Sequence, residues 1–396
     1  MTITTTKKAK LWNRDFAIHT LSYLLIFSGF YFLLPTLPFF VVNDLGQDES
    51  RVGYIIGVYA LSALMIRPIA GYALDTYGRK QVYLWSLSIY VLISGLYILA
   101  DTYFSLLVLR ILHGLSWGVI TNGGITIASD LVPVKRRGEG ISYFSLSITL
   151  SMAIGPLVGL SILEKSNFQM LFISTFFVAM LALLLALMVS YIKFPKTTKK
   201  LGWNNVFEKK VLHITLVMLV TAVTYGGLMS FIILYAKELT ISNIPLVFLV
   251  YAAGVACLRP FSGQYMDKRG PGLIILISFL ITIFGYVLLS QTKTESLFLL
   301  ACFITGVGNG LIMPTILTMT ANLVDTGRRG VANSTIYSAT DMGIGLGSII
   351  LGYVAKIIGI GNMFLMAGLL LILPLIYFFS VAFKHYNLNR INPSSE

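Results

Sequence analysis

Arg67, Arg110, Arg259 and Asp341 place charges inside long apolar stretches of this sequence. A charge in such a setting needs a partner, a water-filled cavity or a function. Asp341 has the chemistry of a group that loads and releases protons. Its neighbours Tyr337, Ser338, Gly345 and Ser348, at −4, −3, +4 and +7, give it one polar, small-residue helix face. The alternative is a buried ion pair that only holds helices together. Arg110 is followed at +3 and +7 by His113 and Trp117, so the three share a face. Here the plainer alternatives are an Arg that bonds free carbonyls and a His that is a satisfied contact between helices.

A second pattern is repeated. Residues 67–80 read RPIAGYALDTYGRK and residues 259–270 read RPFSGQYMDKRG, so the second copy starts 192 positions after the first. At the same offset Tyr59 meets Tyr251, Gly114 and Gly118 meet Gly306 and Gly310, and Arg136-Arg137-Gly138 meets Arg328-Arg329-Gly330. One constant offset over so much chain implies a unit used twice.

The elements that must position these residues follow from composition. Of the 396 residues, 56% are hydrophobic and only 11% charged, against about a quarter charged in soluble domains. Twelve stretches can each cross about 30 Å of hydrocarbon as a helix. They are predicted at roughly 16–41, 51–74, 82–100, 104–130, 139–162, 167–192, 211–236, 245–266, 272–291, 296–323, 331–357 and 362–383. Helices are required because lipid offers no partner for open backbone groups. The expected fold is all-α and polytopic, with six-helix bundles over 1–192 and 211–396 joined by a basic linker at 193–210. Six is even, so the two copies share one orientation, and parallel repeats place a substrate path between them near the midplane.

The net charge of +13 could suggest a nucleic-acid partner, but its distribution argues for a bilayer. One set of loops and both termini hold 21 of the 29 Lys and Arg residues. The opposite loops hold only Arg51, Lys165, Lys237, Lys293 and Lys356. That bias predicts cytoplasmic termini and an outside loop at 42–50. The first apolar run lacks a small-residue cleavage site and is expected to be a retained span. Cys257 and Cys302 both fall in spans, which argues against a disulfide framework. No phosphate-cradling loop is present, so ATP is not expected to bind this chain. The four histidines (19, 113, 213 and 385) are scattered and no carboxylates are paired, so neither a metal site, a cofactor nor an enzyme is expected.

The stretch Gly71-Tyr-Ala-Leu-Asp75-Thr-Tyr-Gly78-Arg79-Lys80 resembles the signature loop between helices 2 and 3 of the major facilitator superfamily, with a weaker copy at Gly263, Asp267 and Gly270. Arg110-Ile-Leu-His113-Gly114 resembles the family's Arg-x-x-Gln-Gly motif, with His for Gln. Gly155-Pro156-Leu-Val-Gly159 looks like the antiporter motif of drug:proton exporters, although Leu160 replaces its last glycine. The resemblance implies that Asp75 faces the start of helix 11 and Asp267 the start of helix 5, as a cytoplasmic latch. It also implies that helix 4 lines a cavity and that Arg110 assists proton coupling. The plainer reading of both loops is an orientation signal rich in Arg and Lys.

Where the repeat is broken, chemistry is expected: Arg110 corresponds to Cys302, Asp341 to Thr149, and Gly155-Pro156 to Gly347-Ser348. Tyr23, Phe30, Trp117, Tyr225 and Tyr337 are candidate cavity aromatics. With Asp341 they would suit lipophilic cations; with Arg67, Arg110 and Arg259, anions or zwitterions. In the fold this sequence resembles, helices 2 and 11 face each other, which implies that Arg67 and Asp341 meet between the halves; by the offset, Arg259 then faces Thr149. The leading expectation is a proton-coupled exporter of small organic molecules in the plasma membrane, working as a single chain with protons and its substrate as partners. A proton-coupled importer and a non-transporting receptor are the alternatives.

Overall fold

The computed structural model describes residues 10–192, 202–241 and 244–391. Among the described residues, twelve helices are long and apolar enough to span a membrane. They are α1 (Arg14–Asp44), α2 (Arg51–Thr76), α3 (Arg79–Leu99), α4 (Tyr103–Leu131), α5 (Val134–Lys165), α6 (Phe168–Leu187), α7 (Lys209–Glu238), α8 (Leu246–Arg269), α9 (Gly272–Ser290), α10 (Glu295–Leu323), α11 (Thr326–Ile358) and α12 (Ile360–Asn389).

Most helices overrun their predicted bounds, because charged residues at the membrane surface can continue a helix that a hydropathy reading ends. Two do not: α9 ends at Ser290, one residue short, and α6, expected to reach 192, stops at Leu187. Beyond it the Asp15 carboxylate accepts from the Ser190 amide at 3.0 Å and ties the chain back to the start of α1.

Packing repeats as the sequence does. In the first half α1 lies on α5, α2 on α4, and α3 on α4 and α6; in the second α7 lies on α11, α8 on α10, and α9 on α10 and α12. Helices in lipid are held by close packing and polar contacts rather than by the hydrophobic effect. The antiporter-like motif serves that purpose here. A Cβ on Gly155 would come within 2.4 Å of Tyr31 Cβ, and one on Gly159 within 2.7 Å of the Phe32 carbonyl. Pro156 is absorbed inside α5 without a break. By contrast, α8 breaks at Leu258, one residue before Arg259-Pro260, whereas Arg67-Pro68 sits within an uninterrupted helix.

The halves meet mainly through α2 against α11 and α5 against α8. Of the predicted linker, residues 193–201 lie outside the described residues. Its last part makes a turn at Trp203–Val206. There the Glu208 amide donates to Thr335 Oγ1 at 3.1 Å and the Glu208 carboxylate pairs with Arg328, fastening the linker to α11.

Candidate functional site

The first and last described segments lie at one end of the bundle, the terminal face, where Asn13 Nδ2 donates to the Leu131 carbonyl and the Ile391 amide to the Asn322 carbonyl. The repeated loops lie there. Gly78 (φ +102°) and Gly270 (φ +82°) adopt a backbone conformation that favours glycine, which explains why both copies of the motif keep it. Upstream, a Cβ on Gly71 would lie 2.6 Å from Ser334 Cβ, and one on Gly263 would lie 2.5 Å from the Gly138 carbonyl. These glycines let the two halves touch backbone to backbone.

That approach brings each motif carboxylate to a helix start in the other half. Asp75 accepts from the Gly330 and Val331 amides, both at 2.9 Å. Asp267 accepts from Gly138 at 2.7 Å and Glu139 at 2.9 Å. Amides in a helix's first turn lack intrahelical acceptors and carry the positive end of its dipole, so a carboxylate there is a strong tie. Arg79 is buried, pairs with Asp130, lies 3.6 Å from Asp75 and donates to the Thr326 carbonyl of the other half. Lys80 points to the exposed surface.

Asp130 escaped the sequence reading. Besides Arg79 it binds Arg329 at 2.9 Å, and its counterpart Asn322 accepts from Arg137 at 2.8 Å. The signal was available: at the 192 offset Asp130 meets Asn322 and Arg137 meets Arg329.

Above this layer, between the halves, lies a cavity of about 270 Å³. Of the candidates, Arg67, Trp117, Tyr225, Arg259, Tyr337 and Asp341 line it. Arg67 Nε donates to Asp341 Oδ2 at 2.6 Å, and its Nη1 donates to Thr121 at 3.1 Å. Its guanidinium also lies 4.8 Å from the Tyr337 ring centroid. Asp341 is the one acid among the described residues of the cavity wall, and its side chain is 24% exposed. Arg259 reaches Thr149 Oγ1 at 2.6 Å.

The other four candidates stand behind the wall. Tyr23 is fully buried and donates to the Thr121 carbonyl at 3.2 Å, and Phe30 stacks on Trp117 at 4.6 Å. In their place Phe27 and Tyr31 face the cavity. With apolar and aromatic residues all around α1, periodicity could not select its inner face. Arg110 and His113 belong to the interior of the first half, not to the cavity. The Arg110 guanidinium lies 4.7 Å from the Tyr59 ring centroid, and His113 Nδ1 lies 3.0 Å from the Tyr97 hydroxyl. Helix α4 does line the cavity, through Trp117 and Thr121. Tyr251 and Asn309, 3.3 Å apart and both in the wall, were also missed. The Tyr59–Tyr251 match pointed toward the first.

A profile of the major facilitator superfamily matches residues 20–348, with a second match at 248–392. The chain belongs to the major facilitator superfamily. Within this superfamily it is 23% identical to the staphylopine export protein of Staphylococcus aureus, over 85% of this chain and 88% of that one. It is 26% identical to the multi-drug resistance efflux pump PmrA homolog of Lactococcus lactis, over 87% and 90%. These relatives support placement in the superfamily's drug-exporter branch. In fold it is similar to the human organic anion transporter MFSD10, with a TM-score of 0.80 at 16% identity, covering 92% of this chain and 98% of that one.

Proposed function

We propose that this chain is a proton-coupled exporter, exchanging protons for small organic molecules by alternating access between its two halves. The observation that carries this reading is the Arg67–Asp341 pair. It ties α2 to α11 beside the cavity, and one proton on Asp341 removes the charge that holds it. The basic excess of the terminal face supports a cytoplasmic assignment for that face in the plasma membrane. On that assignment the latches close the cytoplasmic side, and Asp341 is loaded with protons from outside. Protonation frees Arg67, the halves part at the cytoplasmic side, and the proton is exchanged for substrate. The names of the exporter relatives support outward movement. One chain contains both halves and the whole cavity, so a monomer suffices.

The test has two stages. Toxic organic compounds are first screened for growth protection in a susceptible host. A protecting compound is then added to energised inside-out vesicles containing the protein. The expected result is compound uptake with proton release from the vesicle, lost in Asp341→Asn. Protons and compound moving in the same direction would mark an importer. Binding without flux in liposomes would mark a receptor.

A further inference from the structure

Arg67 and Arg259 hold equivalent places in the two halves, yet among the described residues only Arg67 has an acid. The position that gives Asp341 to Arg67 gives Thr149 to Arg259. Arg259 Nη1 donates to the Ser145 carbonyl at 2.5 Å and to Thr149 Oγ1 at 2.6 Å, and Nε donates to the Gly310 carbonyl at 2.9 Å. All three acceptors are uncharged. Among the described residues no carboxylate forms an ion pair with Arg259, although it is only 8% exposed and lines the cavity. A buried cation without a counter-ion is costly, so a fold that keeps one in a cavity wall leaves room for an anion from elsewhere.

We infer that Arg259 is the subsite for an acidic group, and that the transported compound is an organic anion. Its carboxylate, or another singly charged acid, sits on Arg259 as Asp341 sits on Arg67. Its apolar body lies against Phe27, Trp117, Met152 and the cavity tyrosines, which suit a flat or ring-bearing molecule. Charge balance favours this arrangement. Empty, the cavity holds two guanidiniums and one carboxylate; loaded with a monoanion, these charges cancel before the site is closed from water. The inference rests on the reading of this cavity as the transport site.

Three probes sharing a naphthalene body test it: 2-naphthoate, 2-naphthylmethanol and 2-naphthylmethylammonium. Binding to the full chain in lipid nanodiscs is measured at equilibrium. Naphthoate is expected to bind roughly tenfold or more tighter than the other two. Arg259→Gln should lower it to the affinity of the alcohol, whose own binding reports that the variant is folded. Thr149→Asp supplies the missing acid from the protein and should abolish the preference without removing Arg259. Equal binding of the three probes, a preference for the ammonium, no naphthoate binding, or a preference that survives both variants would overturn the inference. Counterflow in liposomes separates it from the transport reading. Arg259-dependent binding of naphthoate without flux leaves the acid subsite standing and removes the transporter. Flux of the ammonium probe that ignores Arg259 does the reverse.

Discussion

Arg67 and Asp341, 274 positions apart, meet at 2.6 Å across the boundary between the two halves. Arg67 is 4% exposed, so separating the pair would leave a guanidinium poorly solvated. Such a contact is either a staple or a switch, and exchange for apolar residues distinguishes them. Arg67→Met with Asp341→Leu is expected to fold, because replacing a buried pair with apolar residues is often neutral. As a switch, the double variant no longer concentrates substrate against a gradient in proteoliposomes. Most coupled transport surviving in it would identify a staple. Arg67→Met alone leaving coupled transport and its pH dependence unchanged would mean that the two residues do not communicate.

The two carboxylate ties between the halves are unequal. Asp75 has Arg79 at 3.6 Å as well as two amides, whereas Pro271 stands where a second Arg79 would be. Asp75→Asn is therefore expected to impair transport more than Asp267→Asn. An amide retains one acceptor oxygen but loses the charge, which costs about 1–3 kcal/mol at a buried site. Initial rates at matched expression decide, and equal defects count against the asymmetry.

Asp130 neutralises two buried arginines from opposite halves, Arg79 and Arg329. Removing one member of such a cluster leaves uncompensated charge, and about 3–5 kcal/mol is lost. Asp130→Asn is expected to lower the unfolding temperature in detergent by several degrees more than Asn322→Ala, since Asn322 meets Arg137 as a neutral acceptor. Similar melting of the two variants would mean that Asp130 is not the hub.

Orientation can be checked with single cysteines in a chain whose Cys257 and Cys302 have been replaced. Asp48→Cys, in the loop after α1, is expected to react with a membrane-impermeant reagent in intact cells. Lys80→Cys, exposed at the terminal face, should react only after permeabilisation. The opposite pattern would place the termini outside.

Helix number, the repeat and the carboxylates that tie the halves together were legible in the sequence for a physical reason. Lipid forces each crossing to be a long apolar helix, and a duplicated unit keeps its glycines and acids at a constant offset wherever backbone contact demands them. Asp341 was legible because a lone acid in an apolar run has no lipid-facing explanation. The inner face of α1 was not, because Tyr23, Phe27, Phe30 and Tyr31 are all aromatic and only neighbouring helices decide which are covered. Arg110 looked like a cavity residue on the same grounds as Arg67, but only packing turns one guanidinium onto Tyr59 inside the first half and the other onto an acid from the second. Sequence alone named the charges and their helices. The resemblance and the repeat already set Arg67 against Asp341 and Arg259 against Thr149; that Arg67, Arg259 and Asp341 line the cavity while Arg110 does not was decided by the tertiary structure, because burial depends on contacts between helices far apart in the chain.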